Sequence, residues 1–305
     1  MGNGSSPQFV KETEKMKIGV SSYSFQQYLN DGRLDVIGTV AKAKEIGFDA
    51  IEFVDFNLKV EKFEEKKALA EKLVEECKKY DIEISAYVGG ANLFKEGDEL
   101  KAEMDRVKTE IDIANTLGVK LYRFDITYGA LPMGLSFEMV LNKVVDSIRE
   151  LADYANTYGI MTMIENHGLT FQDAYRVEQA VNLVNRDNFR LLVDVGNFIC
   201  ADEDPVKSVS RVATLAAHVH FKDMKLADYY SDELKENAFV TRGMNRAVGV
   251  PVGYGDVKAA QSLAILIKAG YRGYLDIEYE GCEDCVEGIK KGYEFLKNEL
   301  KKYDI

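Results

Sequence analysis

Four apolar segments in the second half of the sequence each end in ionisable side chains. In chain order these endings are Glu165-Asn166-His167, Asp194 to Asn197, His218 to His220, and Glu278. An unpaired charge in apolar surroundings is costly to desolvate. Asp194 follows three apolar residues, and Glu278 lies between Ile277 and Tyr279. Convergence of these side chains on one cation would remove that cost for all of them together.

The ligand atoms of such a cluster would be mostly carboxylate oxygens, with one imidazole nitrogen. This set favours Mn²⁺, Mg²⁺ or Co²⁺ over the closed thiolate sites that bind Zn²⁺. We predict a divalent metal, Mn²⁺ in the first place, with Mg²⁺, Co²⁺ and Zn²⁺ as the other candidates. A six-coordinate ion with four protein ligands keeps two positions for neighbouring oxygens of a substrate.

An ion that binds a carbonyl and the neighbouring hydroxyl acidifies the C–H bond between them. A carboxylate beside the ion can remove that proton, and a second group can return it. Return to the opposite face gives epimerisation, return to the next carbon gives isomerisation, and loss of a β-substituent gives elimination. The residues therefore predict the first step and leave the product open.

Strand parity adds further candidates near these endings. His167 lies two residues after Glu165, so both side chains are on the same face of the strand. His167 has two possible roles: acid-base catalysis or substrate binding, or the anchoring of a loop. His218 and Asp276 lie one layer below the last two ligand candidates, where either a buried pair or a solvated strand start is possible.

The elements that must position these side chains alternate along the chain from Met16. Eight short apolar segments are each followed by a longer one with apolar residues at helical spacing. This alternation indicates a parallel sheet with right-handed crossovers, and eight units indicate a closed barrel whose active site lies at the C-terminal strand ends. We predict an α/β fold, a single (β/α)8 TIM barrel at 16–305, after a flexible leader at 1–15. The predicted strands are 17–23, 49–54, 82–88, 120–126, 160–166, 189–195, 218–223 and 274–280.

The connection at 224–254 after the seventh strand is longer than a usual βα loop, and we predict that it is irregular. Its second half contains Arg242, Arg246 and three glycines but no acid. It could be a lid whose arginines bind an anionic or polyhydroxylated substrate, or a surface excursion or oligomer contact. On earlier strands, Glu52 and Arg123 could contact a sugar or form structural salt bridges.

Composition restricts the partners that the protein can have. Acidic residues outnumber basic ones by 51 to 39, and the formal net charge of -12 disfavours nucleic acid and anionic membranes. The four cysteines are too sparse for a disulfide framework, and we interpret Cys282 and Cys285 as reduced thiols. No apolar run is long enough to cross a bilayer, and we expect a cytoplasmic protein.

Several segments resemble the xylose isomerase-like barrel superfamily, in particular its sugar phosphate isomerase/epimerase family. They are IGVSSYSF, GFDAIEFVD, IENHG, LLVDVGN, HVHFKD and AGYRGYLDIEYEG, and the resemblance extends from Met16 to about Leu300. It implies metal ligands at Glu165, Asp194, His220 and Glu278, and proton transfer by the two glutamates.

The chain departs from the best-known ketose epimerases of that family at two positions. Asn197 stands where they usually have a histidine, and Lys222 is the nearest cation where they have an arginine after the seventh strand. We predict that Glu165, Glu278 and His167 are catalytic. The predicted substrate-binding residues are Lys222, Asn197, Arg123, Arg242 and Arg246.

The resulting hypothesis is a divalent-metal-dependent isomerase or epimerase that acts on a sugar, keto-sugar or sugar derivative, as a homo-oligomer. The alternative is a metal-dependent lyase, either an inosose-type dehydratase or a glycoside-cleaving subunit that works with a small partner protein. Apurinic-site endonucleases share the superfamily, but three histidines and a net charge of -12 disfavour that activity.

Overall fold

A closed barrel of eight parallel strands forms the body of the molecule. The computed structural model describes residues 15–231, 234 and 237–303, so the predicted leader at 1–15 lies almost wholly outside the described residues. The predicted TIM barrel is confirmed, and its strands run in the order β1-β11-β7-β6-β5-β4-β3-β2. These strands are β1 (Lys17–Ser21), β2 (Ala50–Val54), β3 (Glu83–Gly89), β4 (Leu121–Phe124), β5 (Met161–Glu165), β6 (Phe189–Asp194), β7 (Ala216–Phe221) and β11 (Tyr274–Ile277).

Helices connect the strands and cover the outside of the barrel. Aspartates begin several of them, and Asp35 and Asp173 accept hydrogen bonds from the backbone of the first turn. Gly47 ends α2 in the left-handed conformation, with φ of 114°, which residues with a Cβ atom rarely adopt. The helices are α1 (Gln26–Asp31), α2 (Val36–Ile46), α3 (Phe63–Tyr80), α4 (Gly97–Leu117), α5 (Phe137–Asn156), α6 (Ala174–Val184), α7 (Pro205–Val212), α8 (Ala259–Lys268) and α9 (Cys285–Leu300).

The barrel strands are buried on both faces, as expected for a parallel sheet covered by helices. All five residues of β5 are buried, because one face of the strand packs against the helices and the other points into the barrel. Met163 and Leu192 lie two residues before Glu165 and Asp194, so each shares a strand face with the acid above it. A small apolar layer that contains both residues therefore supports the polar mouth of the barrel.

The prediction that 224–254 is irregular is wrong. β8 (Asp223–Ala227), β9 (Phe239–Val240) and β10 (Arg246–Val250) form a three-stranded antiparallel sheet in the order β8-β10-β9. The buried Asp223 carboxylate closes the base of this insertion by accepting the N–H groups of Gly253, Gly255 and Val257. Positions 232, 233, 235 and 236 of the insertion lie outside the described residues.

Among the helices that the structure describes, none combines the length and the apolar character needed to span a membrane.

Candidate metal centre and active site

The four predicted metal ligands lie together at the C-terminal mouth of the barrel. Glu165 ends β5, Asp194 ends β6, His220 is the penultimate residue of β7, and Glu278 directly follows β11. These strands are consecutive around the barrel. One ligand atom from each side chain lies within 4.8 Å of all the others. The folded chain therefore brings together residues that are widely separated in the sequence.

Asp194 is fully buried, and backbone N–H groups donate to only one of its two carboxylate oxygens. Its Oδ1 accepts the N–H groups of Gly196 at 2.7 Å and Asn197 at 3.0 Å. Its Oδ2 has no hydrogen-bond partner among the described residues. Burial and the nearby Glu278 and Glu165 carboxylates raise the pKa of Asp194 to about 7, against the opposing charge of Lys222. A divalent cation at this position would stabilise the ionised form.

Two side chains hold Glu165, one at each of its carboxylate oxygens. Asn197 Nδ2 donates to Oε1 at 2.9 Å, and Arg123 Nη2 lies 2.7 Å from Oε2. Burial alone would raise the pKa of Glu165, but the Arg123 charge, with His167 and other cationic groups, outweighs burial and lowers it. Glu165 is therefore present as a carboxylate, which both a metal ligand and a proton acceptor require.

The buried Arg123 and the half-buried His167 both contact the buried Asp125 behind Glu165. Arg123 donates to both oxygens of Asp125, at 2.8 and 2.6 Å, and Tyr128 OH also donates to Asp125. His167 Nδ1 lies 3.0 Å from Asp125 Oδ1 and 3.0 Å from Arg123 Nη2. Burial lowers the pKa of His167, but Asp125 outweighs it and raises the pKa above its usual value. The predicted roles of Arg123 and His167 remain predictions, since both contact protein groups here.

Asp125 and Tyr128 belong to the site but are not among the residues predicted from the sequence. A signal for Asp125 was available, because it follows Arg123 by two residues and so has the same strand parity. Tyr128 lies in the loop after β4, where strand parity gives no direction, and its ring meets the His167 ring edge-on at 5.8 Å.

Of the two ring nitrogens of His220, one has a hydrogen-bond partner and the other has none among the described residues. Its Nε2 lies 2.8 Å from Glu52 Oε2, and its Nδ1 lies 3.8 Å from Glu278 Oε2. Nδ1 is buried and has no hydrogen-bond partner among the described residues. One layer below, His218 Nε2 lies 3.1 Å from Asp276 Oδ2 and both residues are fully buried, so the buried pair is the alternative that the structure supports.

Lys222 is a buried cation among carboxylates. Its Nζ lies 2.6 Å from Glu278 Oε2 and 3.4 Å from both Asp194 Oδ2 and Glu280 Oε2. It also donates to Asn197 Oδ1 at 3.2 Å. Burial lowers the pKa of Lys222, but Glu278, Glu280 and Asp194 outweigh it and raise the pKa well above its usual value. Asn197 thus joins Glu165 to Lys222, and substrate binding by Asn197 and Lys222 stays a prediction.

Both arginines of the insertion have protein partners, although their half of the insertion contains no acid. Arg242 Nη1 lies 2.8 Å from Asp173 Oδ2, and its Nη2 donates to the carbonyl of Leu169 at 2.6 Å. Arg246 Nη1 donates to the carbonyl of Ser231 at 2.6 Å. The physical reason is the fold of the insertion, whose turn between β9 and β10 packs on the loop after β5. Substrate binding by either arginine is untested.

The open atoms of the cluster fit a divalent ion. Asp194 Oδ2, His220 Nδ1 and Glu278 Oε2 lack a normal hydrogen bond within the described part of the chain, although Lys222 Nζ forms ion pairs with Glu278 Oε2 at 2.6 Å and with Asp194 Oδ2 at 3.4 Å. All three atoms belong to the four-residue group above. Carboxylate oxygens with one imidazole are suitable ligands for Mn²⁺, Mg²⁺, Co²⁺ or Zn²⁺. The identity of the metal is not determined by these atoms.

Comparison with known proteins agrees with this architecture. Inosose dehydratase 1 of Bacillus cereus is 28% identical over 142 residues, which cover 46% of this chain and 47% of that protein. The chain thus aligns over about half the length of the curated relatives that it matches. A xylose isomerase domain protein from Planctomyces limnophilus superimposes with a TM-score of 0.71 at 20% identity, over 95% of this chain and 99% of that chain.

A second solved structure shows the same fold. D-allulose 3-epimerase from Methylomonas sp. superimposes with a TM-score of 0.70 at 17% identity, over 94% of this chain and 98% of that chain. The sequence profile of the Xylose isomerase-like TIM barrel family matches residues 40–299. Since that match covers most of the chain and the barrel is closed as the family description requires, the chain belongs to the Xylose isomerase-like TIM barrel family.

Proposed function

We propose that this chain is a divalent-metal-dependent isomerase or epimerase that removes a proton next to a carbonyl of a sugar, keto-sugar or sugar derivative. The observation that supports this most directly is a set of buried atoms on Asp194, His220 and Glu278 that lack a normal hydrogen bond. These residues are grouped with Glu165 at the mouth of the barrel. The similarity to D-allulose 3-epimerase and to inosose dehydratase supports a carbohydrate substrate.

Glu165, Asp194, His220 and Glu278 would hold the ion, which supplies the positive charge that acidifies the C–H bond of a bound carbonyl compound. Glu165 and Glu278 come from opposite ends of the arc of ligand strands, β5 and β11, so they can approach a substrate from different sides. One glutamate would accept the proton and the other would return it.

The neighbouring cations hold these carboxylates in place. Arg123 contacts the Oε2 atom of Glu165, and Lys222 contacts the Oε2 atom of Glu278. The Lys222 ammonium has three donors and four protein acceptors around it, so a substrate oxygen would take the place of one of these acceptors. We infer that Lys222 and Asn197 contact the substrate beside the ion, as the sequence predicts.

A lyase is the second candidate, favoured by the arrangement of His167. Elimination needs an acid that protonates the departing hydroxyl group, apart from the base that removes the proton. His167 is paired with the buried Asp125 and lies beside Glu165, so it could supply that proton. The similarity to inosose dehydratase 1 favours the same candidate. A glycoside-cleaving lyase would in addition require a small partner subunit.

The decisive experiment is proton exchange in deuterated water. The purified protein with Mn²⁺ is incubated with neutral ketoses, ketose phosphates, inososes and 3-keto-glycosides, and the products are followed by NMR. We expect deuterium at the carbon next to the carbonyl, with an inverted or isomerised product for the first candidate and a dehydrated or cleaved product for the second. Absence of exchange with every compound, in protein that contains the metal, would contradict both candidates.

The state of assembly separates the remaining alternatives. We propose a homo-oligomer that binds neither nucleic acid nor membrane, and light scattering of the purified protein measures its mass directly. A second, smaller chain that copurifies at a fixed ratio and is needed for turnover would favour the glycoside-cleaving lyase.

A further inference from the structure

Glu52 is a fully buried carboxylate on β2, which does not neighbour β7 in the barrel. Its Oε2 nevertheless lies 2.8 Å from His220 Nε2, a contact that crosses the barrel interior. We propose that Glu52 is a positioning residue, which holds the His220 imidazole with its proton on Nε2 and so presents Nδ1 to the divalent ion. This inference rests on the proposed function, because it concerns one ligand of the ion.

The donor and acceptor chemistry of the two side chains determines the position of the proton. An ionised carboxylate can only accept hydrogen bonds, so His220 Nε2 must be the donor in this pair. In a neutral imidazole the other nitrogen, Nδ1, then has a free lone pair. That atom is buried, lacks a hydrogen-bond partner within the described chain, and faces Glu278 Oε2 at 3.8 Å. A carboxylate on the far side of a histidine ligand also makes its metal-binding nitrogen more basic.

Glu52 is itself held by a polar layer beneath the ligands. His218 Nε2 lies 3.4 Å from the same oxygen of Glu52 and 3.1 Å from Asp276 Oδ2. Ser85 Oγ donates to that Asp276 oxygen at 2.5 Å. Gly19 leaves the space that Asp276 occupies, because a Cβ atom there would lie 2.0 Å from Asp276 Oδ1. The layer joins residues of several strands, so Glu52 cannot move without disturbing its neighbours.

A second ion between Glu52, His218 and His220 is the competing interpretation, since their ligand atoms lie within 4.8 Å of one another. It would take His220 Nε2 as a ligand and break the hydrogen bond to Glu52. The two interpretations differ in stoichiometry. We expect one ion per chain by elemental analysis, and two ions bound with similar affinity would overturn the positioning role.

The first test compares the Mn²⁺ affinity of two matched variants. Glu52→Gln keeps the size of the side chain and removes its charge, and we expect about a 10–100-fold weaker Kd, as for other outer partners of metal ligands. Glu110→Gln is the control, because Glu110 is also a buried carboxylate with charged and polar partners, here Lys66 and Tyr87. Its Mn²⁺ affinity is expected to equal that of the wild type. Equal affinities in all three proteins would overturn the inference.

The second test uses the wild-type protein, and so it does not depend on the folding of a variant. With only three histidines in the chain, ¹⁵N-labelled imidazoles of the Zn²⁺-loaded protein can be resolved by NMR. We expect His220 to be protonated at Nε2 and bound to the metal through Nδ1. Metal binding through Nε2 would overturn the inference and leave the proposed function intact. A wild-type protein that binds no divalent ion would overturn both.

Discussion

Two buried groups of acidic and basic side chains in this barrel differ in how completely their polar atoms are hydrogen-bonded. Between α3, α4 and β3, Lys66 Nζ lies 2.6 Å from Glu110 Oε1, and Tyr87 OH donates to the other oxygen of Glu110 at 2.7 Å. One cation faces one anion, and both carboxylate oxygens have donors. At the barrel mouth, by contrast, Asp194 Oδ2 and His220 Nδ1 are buried without a hydrogen-bond partner among the described residues.

The charges of the two groups differ in the same way. The Lys66–Glu110 pair is balanced, whereas carboxylates at the mouth outnumber the cations. The acids there are Glu165, Asp194, Glu278 and Asp125, together with the more exposed Glu280, and the permanent cations that contact them are Arg123 and Lys222. A group whose charges balance and whose polar atoms all have hydrogen bonds needs no further ligand for stability. A surplus of buried carboxylates, with oxygens that lack hydrogen bonds, needs a further cation. This difference separates a structural ion pair from a candidate metal site.

The largest effect that this comparison predicts is on turnover. Glu165→Gln and Glu278→Gln should each reduce kcat by about 10²–10⁴-fold or more, because each removes a proton-transfer group as well as a charged ligand. Glu110→Gln makes the same chemical change in the balanced group and should leave kcat unaltered. The measurement is steady-state turnover, with the metal content of each variant determined in parallel. Near-normal turnover in either site variant with metal bound would contradict the assignment.

The next effect is on stability and belongs to the balanced group. Lys66→Met should lower the free energy of unfolding by about 3–5 kcal/mol, because it leaves Glu110 buried without its cation. Urea unfolding measures this loss, and the turnover of the folded protein should be retained. Lys66→Met combined with Glu110→Leu should recover part of the stability, since the isolated buried charge is gone. A single variant as stable as the wild type would contradict the assignment of Lys66 and Glu110 as a structural ion pair.

The third effect is the response of the mouth to metal. At a free Mn²⁺ concentration of about 100 times Kd, the free energy of unfolding should rise by about 2.7 kcal/mol, since the ion binds the folded chain alone. Excess chelator should reverse the gain and abolish turnover. Thermal unfolding with and without metal measures the shift, and Glu110→Gln should show it undiminished. Asp194→Asn should show a much smaller shift, and an undiminished one would place the ion elsewhere.

The barrel and the meeting of its four candidate ligands at one end could be predicted, because local patterns encode the strands and their endings. Each unit repeats one apolar run and one amphipathic helix, so the strand predicted at 160–166 is observed at Met161–Glu165. Strand parity placed Glu165 and His167 on one face, and both contact the Arg123–Asp125 pair. Residues at the ends of consecutive parallel strands must meet at one edge of the barrel, so their proximity follows from the fold.

The contacts across the barrel interior could not be predicted in the same way. Glu52 meets His220 because of the strand order and tilt of the closed barrel, which local spacing does not reveal. The sheet of the insertion escaped prediction because its first strand begins almost directly after a barrel strand and its shortest strand is too short for a pattern. β8 begins directly beyond Lys222, which follows the end of β7, and β9 has only two residues.

The smallest effect is expected at Arg242, which tests the comparison on a third ionic group. Arg242 contacts Asp173 and the Leu169 carbonyl, and Asp173 also contacts Arg176, at 3.1 Å. This group is saturated, like the Lys66–Glu110 pair, but the Arg242 side chain is 33% exposed. Exposed ion pairs contribute about 0–1 kcal/mol to stability. We therefore expect Arg242→Ala to change the free energy of unfolding only slightly.

The same variant should reduce kcat/KM by less than about tenfold, the factor that corresponds to about 1.4 kcal/mol. The reason is indirect, because Arg242 supports the loop that follows Glu165 and His167. Arg211→Ala is the matched control, since Arg211 pairs with Glu178 between α7 and α6, and its kinetics should not change. A loss well beyond tenfold in Arg242→Ala, at unchanged unfolding and metal content, would contradict this expectation. It would mean that Arg242 leaves Asp173 to bind the substrate and that the insertion closes over the site as a lid.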